Sequence, residues 1–261
     1  MKGIDVSKHN GVIDWNKVKE SGIDFVVIRA GYGKNHVDSQ FINNICGAHT
    51  AGLKIMIYWF IYALNEADAI ANADKCDSTI SLYKDIVDMV FADWEYDSDD
   101  YSIKNGVTQT KASRTGIVRA FLERLRAKGY SVGNYANPDY IKSKFEDLSE
   151  YPLWLAWYKE NADVSPYNPQ IWQYSSTGSI PGINGNVDLN ISYSEVTAPV
   201  IEYYPVPEFT LIDHLNKIGV DSSIESRKKS ALVNGIANYT GTKEQNLLML
   251  EQLKAGKLIK I

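Results

Sequence analysis

The chain has 261 residues, 44% hydrophobic and 11% aromatic, with a net charge of −5. That is enough for one large α/β domain plus a small extra module. The acidic balance argues against a nucleic-acid partner, which would demand a basic stripe. No window reaches the ~20 apolar residues of a membrane span, so no membrane insertion is expected. Cys46, Cys76 and four scattered His lack metal-ligand spacing, so neither a metal nor a cofactor is expected, and the thiols read as reduced core residues.

In chain order, Gly3–Ser7 reads as a first strand that begins almost at Met1, with no secretory leader ahead of it. Helical spacing follows at Trp15–Ser21, then strand Phe25–Ala30, helix Gln40–Ala51, strand Lys54–Tyr62 and helix Glu66–Tyr83. The run from Ile86 ends in Phe-Ala-Asp-Trp-Glu and reads as a buried strand to Glu95. Helix Lys111–Lys128, strand Ser131–Tyr135 and helix Pro138–Phe145 complete the alternation. After Tyr151 the strands Leu153–Trp157, Gln170–Tyr174 and Asn186–Leu189 are separated by Pro- and Gly-rich loops too short for long helices. The pattern predicts an irregular β/α barrel, with an open doubly wound sheet also compatible. Domain boundaries are expected at 1–196 for the barrel, 197–207 for a Pro-containing linker and 208–261 for a small helical module. Within that module Thr242 is expected as an N-cap, with Gln245 three residues on. From Tyr204 onward the tail carries 8 Lys+Arg against 6 Asp+Glu, net +2, leaving −7 for the rest. Such a tail suits an anionic polymer, or is simply a solvated helical surface.

The chemistry concentrates at strand ends. On one strand Asp93 and Glu95 point the same way, about 6.5–7 Å apart at the backbone. Two carboxylates on a core-facing surface are costly to desolvate and raise each other's pKa, which lets one act as an acid while its neighbour ionises. Asp5 ends the first strand and Asp188 lies on the last strand of the body. Each alone reads equally well as a turn residue. In a closed barrel the first and last strands are neighbours, so all four carboxylates would share one mouth. Arg29 is expected to pair with one of them or to hold substrate, with the ion pair favoured because an acidic cluster needs a counter-charge. Tyr58, Tyr62, Tyr135, Trp154, Trp157 and Tyr174 are candidate sugar platforms, about half of them expected in the core. Gln173 is a candidate for binding an acetamido group, and His9 for a loop hydrogen bond.

Seven segments in order resemble glycoside hydrolase family 25, the muramidase (lysozyme) family. They are Gly-Ile-Asp-Val-Ser-Lys-His-Asn-Gly at 3–11, Val-Ile-Arg-Ala-Gly at 27–31, Asp-Trp-Glu at 93–95, Gly-Asn-Tyr-Ala-Asn-Pro at 133–138, Leu-Trp-Leu-Ala-Trp-Tyr at 153–158, Ile-Trp-Gln-Tyr-Ser-Ser at 171–176 and Val-Asp-Leu-Asn at 187–190. The resemblance covers roughly residues 1–196. It implies a TIM-like barrel of five β/α units plus three further strands. It also implies cleavage of the β-1,4 bond from N-acetylmuramic acid to N-acetylglucosamine in peptidoglycan glycan strands. By position, Glu95 matches the general acid, Asp93 its partner, and Asp5 and Asp188 the acidic residues that complete the mouth. Trp157-Tyr158 departs from many relatives and bears on subsite preference. The tail segments 219–223, 227–229 and 238–242 are similar to C-terminal segments of Gram-positive phage wall hydrolases, which implies binding to cell-wall polymers. A wall-directed enzyme with no leader implies an endolysin made in the host cytoplasm and released through a holin pore; an autolysin whose leader was removed is the alternative. Chitinase- or glucosaminidase-like hydrolysis and a non-catalytic wall lectin are the competing functions. A family 18 chitinase would carry further acidic residues at 89 and 91, where this chain has Met89 and Phe91.

Overall fold

Period-2 alternation along the strands separates two apolar layers. Strands β1 (Lys2–Val6), β2 (Phe25–Tyr32), β4 (Lys54–Phe60) and β5 (Val87–Asp93) carry alternate residues to opposite faces. Phe25, Val27, Met56 and Phe91 pack inside the barrel. Their neighbours Val26, Ile28, Ile57 and Val90 pack outward under the helices. A computed structural model describes residues 1–159, 161–193 and 211–260. In it β6 (Val132–Ala136), β7 (Leu153–Ala156), β8 (Ile171–Gly178) and β9 (Val187–Ser192) complete a ring ordered β1-β9-β8-β7-β6-β5-β4-β2, closed by a β1–β2 pairing. Pairings from β1 through β2 and on to β8 are parallel, while β9 runs antiparallel to both of its neighbours. The barrel expectation therefore holds and the open sheet is excluded. A two-residue strand β3 (His36–Val37), invisible to periodicity, pairs with the end of β2.

Two inward glycines fit large rings into the narrow interior. A Cβ on Gly3 would lie 2.3 Å from the Phe25 ring, and one on Gly133 would lie 2.5 Å from Phe91. Such separations are far inside contact distance, so small residues face large ones across the interior.

Helices α1 (Trp15–Glu20), α2 (Phe41–Thr50), α3 (Glu66–Ile80) and α5 (Lys111–Ala127) cover the outer layer. Two departures from the sequence pattern matter for the mouth. A helix α4 (Tyr96–Lys104) begins where the β5 strand was expected to end. The helix expected over 138–145 is a single π turn, Tyr140–Lys144, closed by the Phe145 N–H donating to the Tyr140 carbonyl at 2.8 Å.

Beyond the barrel, α6 (Leu211–Lys217), α7 (Ile224–Val233) and α8 (Lys243–Lys254) share their own apolar cluster around Leu215, Ala231, Met249 and Leu253. The Thr242 hydroxyl accepts from the Gln245 N–H and caps α8 as its sequence suggests. This unit touches the barrel at α2. The Cys46 thiol donates to the Leu232 carbonyl, the Thr50 hydroxyl donates to the Val233 carbonyl at 3.3 Å, and Leu232 joins the outer core. Side chains of α2 thus donate to carbonyls of the last turn of α7. Burial pushes the Cys46 thiol up to about 12, which makes it an inert packing group. The expected linker at 197–207 lies outside the described residues.

Candidate active site

Antiparallel pairing of β1 with β9 sets Asp5 directly opposite Asp188. Asp5 is 5% exposed, and its Oδ2 accepts from Gln173 Nε2 and from Asn190 Nδ2, both at 2.8 Å. Those donors are held in turn. Gln173 Oε1 accepts from the hydroxyls of Tyr135 at 2.9 Å and Tyr158 at 2.8 Å. Asn190 Oδ1 accepts from Trp154 Nε1 at 2.8 Å. Burial first, then the Asp188 charge, pushes the Asp5 carboxyl well above the usual carboxylate range, against the pull of its two amide donors. Burial also raises Asp188, while contact with Asp5 lowers it.

Across the mouth, Asp93 ends β5 in register with Phe60 and Tyr135 on the adjacent strands. Glu95 is the N-cap residue of α4, in extended backbone, so strand alternation persists one step past β5 and both carboxyls face the mouth. The Glu95 N–H donates to the Ser98 hydroxyl at 3.2 Å, and the Glu95 carbonyl accepts the Ser98 N–H at 2.9 Å. Asp93 is 4% exposed; burial, then the charge and contact of Glu95, raise its carboxyl well above the ordinary range, partly opposed by Arg29. Glu95 is raised by burial, while contacts with Asp93 and Tyr135 favour its ionised form. The two carboxyls therefore titrate as a pair, with the deeper Asp93 raised further than Glu95. Asp93 Oδ1 is buried and has no hydrogen-bond partner among the described residues.

All four carboxylates line one cleft of about 410 Å³. On one side it meets a cavity of about 300 Å³ through shared His9, Arg29 and Phe60. On the other it meets one of about 400 Å³ through shared Glu95, Tyr135 and Tyr158. A groove thus crosses the barrel mouth with Glu95 at an internal boundary. A larger cavity of about 930 Å³ lies at the opposite end of β7 and β8 and contains none of the four carboxylates.

The remaining candidates divide. Tyr58, Tyr135, Trp154 and Gln173 line the central cleft, Trp154 as a floor only 1% exposed. Tyr62 lines the first flank and Trp157 the second. Tyr174 does not reach the cleft: Gln173 faces inward on β8, so Tyr174 lies on the other face against Trp172, with ring centroids 5.7 Å apart. Arg29 lines the cleft but pairs with Asp38 at 2.7 Å rather than with a mouth carboxylate. Asp38 follows the short β3 strand, is fully buried at its side chain and accepts the Arg29 Nε–H, while Arg29 Nη2 is buried with no hydrogen-bond partner among the described residues. His9 also lines the mouth. Tyr158, singled out in the sequence only for subsite preference, lines both the cleft and its second flank, whereas Asn190 and Asp38 are site residues the sequence did not single out, although period-2 spacing from Asp188 points to Asn190. Among the described residues no cluster of three His, Cys, Asp or Glu side chains is arranged to hold a metal ion.

A closed β/α barrel with carboxylates paired at one mouth is the architecture of barrel glycosidases. Residues 4–183 match the family described as Glycosyl hydrolases family 25, and the chain belongs to that family. It is 32% identical over 195 residues to the autolytic lysozyme of Clostridium acetobutylicum, a match covering 73% of this chain and 55% of that enzyme. The solved structure of the modular autolysin LytC from Streptococcus pneumoniae superposes with a TM-score of 0.64 at 26% identity, covering 74% of this chain and 46% of that one. The matched region is therefore about half the length of either relative. A separate match of 47 residues, 18% of the chain, is 51% identical to the L-alanyl-D-glutamate peptidase of Listeria phage A118 and covers 17% of that enzyme.

Proposed function

We propose that the protein is a peptidoglycan hydrolase, an N-acetylmuramidase cleaving the β-1,4 bond between N-acetylmuramic acid and N-acetylglucosamine. The observation that carries the reading is the Asp93/Glu95 pair, in mutual contact at the centre of a groove that crosses the barrel mouth. The lysozyme named among its relatives supports the substrate class.

Contact between the two carboxyls argues against direct inversion, which needs about 6.5–9.5 Å between acid and base to admit a water. It suits assistance by the substrate's own 2-acetamido group. The Asp93 carboxyl, which lines the cleft, is an acceptor for that group's N–H. Accepting it favours ionised Asp93 and leaves the pair's proton on Glu95. Glu95 then protonates the glycosidic oxygen as the C1–O bond breaks and the acetamido oxygen bonds to C1. In the second step Glu95 takes a proton from water, the water oxygen attacks C1, and the acetamido group is released. The coupled Asp5/Asp188 pair, whose contact favours ionised Asp188, supplies negative charge to the developing oxocarbenium ion.

Residues 1–196 form the catalytic unit in this reading, 197–207 the linker and 208–261 a wall-polymer module. The described helical tail, 211–260, is long enough to hold the 47 residues shared with the phage peptidase. A peptidase and a glycosidase share a target wall rather than a reaction, so a common segment suits wall attachment. The phage source of that relative supports an endolysin role on the wall, and release through a holin pore is part of the proposal.

Mass spectrometry of fragments released from purified walls tests the reading. Reducing-end N-acetylmuramic acid is the expected product. Reducing-end N-acetylglucosamine would make the enzyme a glucosaminidase, and no fragments with wall binding retained would make it a lectin.

A further inference from the structure

We infer that Asp99 is a positioning residue for Glu95, gripping the chain on both sides of that carboxyl and tying it to α5 and the Tyr140 turn. The inference rests on the proposed acid role of Glu95. Asp99 lies one helical turn beyond Glu95 on α4, and its own N–H donates to the Glu95 carbonyl at 3.2 Å. Its Oδ1 accepts from Arg114 Nε at 2.8 Å and from the indole N–H of Trp94, the residue before Glu95, at 3.3 Å. Its Oδ2 accepts from the Tyr140 hydroxyl at 2.7 Å.

Each partner is itself fixed. Trp94 is fully buried. Arg114 is 7% exposed and spends its other N–H groups on the carbonyls of Lys144 at 2.9 Å, Gln109 at 3.2 Å and Thr110 at 3.3 Å. Tyr140 is 1% exposed and packs edge-on against Tyr96, the first residue of α4, with centroids 5.1 Å apart. Three donors from three separate segments therefore converge on one carboxylate whose backbone holds Glu95. The arrangement fixes where the Glu95 side chain starts, and misplacing a proton donor by about 1 Å costs about a hundredfold in rate.

Alanine at 99 removes both acceptor oxygens. Asparagine keeps one oxygen for Arg114 and Trp94 and presents an amide to the Tyr140 hydroxyl, which can then accept. The experiment measures kcat and KM of the full chain on purified walls, with near-UV circular dichroism to count folded protein. Asp99→Ala is expected to lower kcat per folded molecule by about 30- to 100-fold with KM within about threefold. Asp99→Asn should restore kcat to within about threefold, and Trp94→Phe, which deletes only the indole donor, should lower kcat by about three- to tenfold at unchanged KM. A rate loss that tracks the folded fraction, wild-type kcat in Asp99→Ala, or an Asp99→Asn variant as slow as the alanine one would overturn the inference. If Asp99→Ala does not fold, wild-type kcat in Trp94→Phe overturns it instead. An inactive wild-type protein would count against the proposed function, whereas an active wild type with these variants unchanged would count only against Asp99.

Discussion

Two carboxylate pairs face each other across the barrel mouth, and they differ in how completely they are satisfied. Asp5 is held by two amide donors, each oriented by a buried aromatic group, beside Asp188. Asp93 leaves one buried oxygen with no partner among the described residues, and Glu95 stands at the end of a strand where a groove passes. A carboxylate held by two oriented amide donors is a fixed electrostatic frame, while an unsatisfied buried acceptor is costly unless a ligand completes it. In the proposed mechanism the contrast matches a role in charge stabilisation for Asp5/Asp188 and contact with the reacting groups for Asp93/Glu95.

Breaking the working pair should have the largest effect. Glu95→Gln is expected to lower wall-lysis kcat by about 10³-fold or more while leaving the fold intact, because the amide cannot supply the proton. Turbidity clearance at equal folded concentration checks this, and normal turnover would refute the acid assignment. Asp93→Asn comes next, at about 10²-fold in kcat, with an opposite effect on stability. Burial raises the Asp93 carboxyl, so its stabilising contribution is complete below the ordinary carboxyl range and is lost as pH rises through its folded value. The wild-type Tm should therefore fall as pH rises above the ordinary carboxyl range, and the asparagine variant should show a flatter profile and a higher Tm on the alkaline side of that fall. A steeper profile in the variant would contradict the burial cause.

The frame should respond mainly in stability. Asn190→Ala removes one donor to Asp5 and strands the Trp154 indole N–H, so a loss of about 1–3 kcal/mol is expected in urea unfolding. Its kcat should fall less than tenfold; a loss as large as that of Glu95→Gln would erase the distinction between the pairs.

Much of this mouth was legible because strand alternation is a strong signal. Asp5, Asp93, Glu95 and Asp188 all sit at inward positions of runs whose apolar neighbours mark the other face. What stayed hidden has local physical causes. Helix α4 buries only Ser98 and Ser102, so no apolar stripe announces it. The β3 strand is two residues long, too short for any period, and it hid Asp38 as the partner of Arg29. Apolar spacing at Ile141 and Phe145 imitated a helix where the chain makes one π turn. Tyr174 is an aromatic beside the cleft in sequence only, because Gln173 takes the inward face of β8 and turns its neighbour outward.

Carboxyl ¹³C NMR titration of the unliganded wild type and of Glu95→Gln tests the paired titration most directly. The expected result is an Asp93 midpoint well above 3.8 that falls when Glu95 becomes Gln. Asp93 and Glu95 titrating independently at ordinary carboxyl values, with Asp93 unmoved by the substitution, would contradict it.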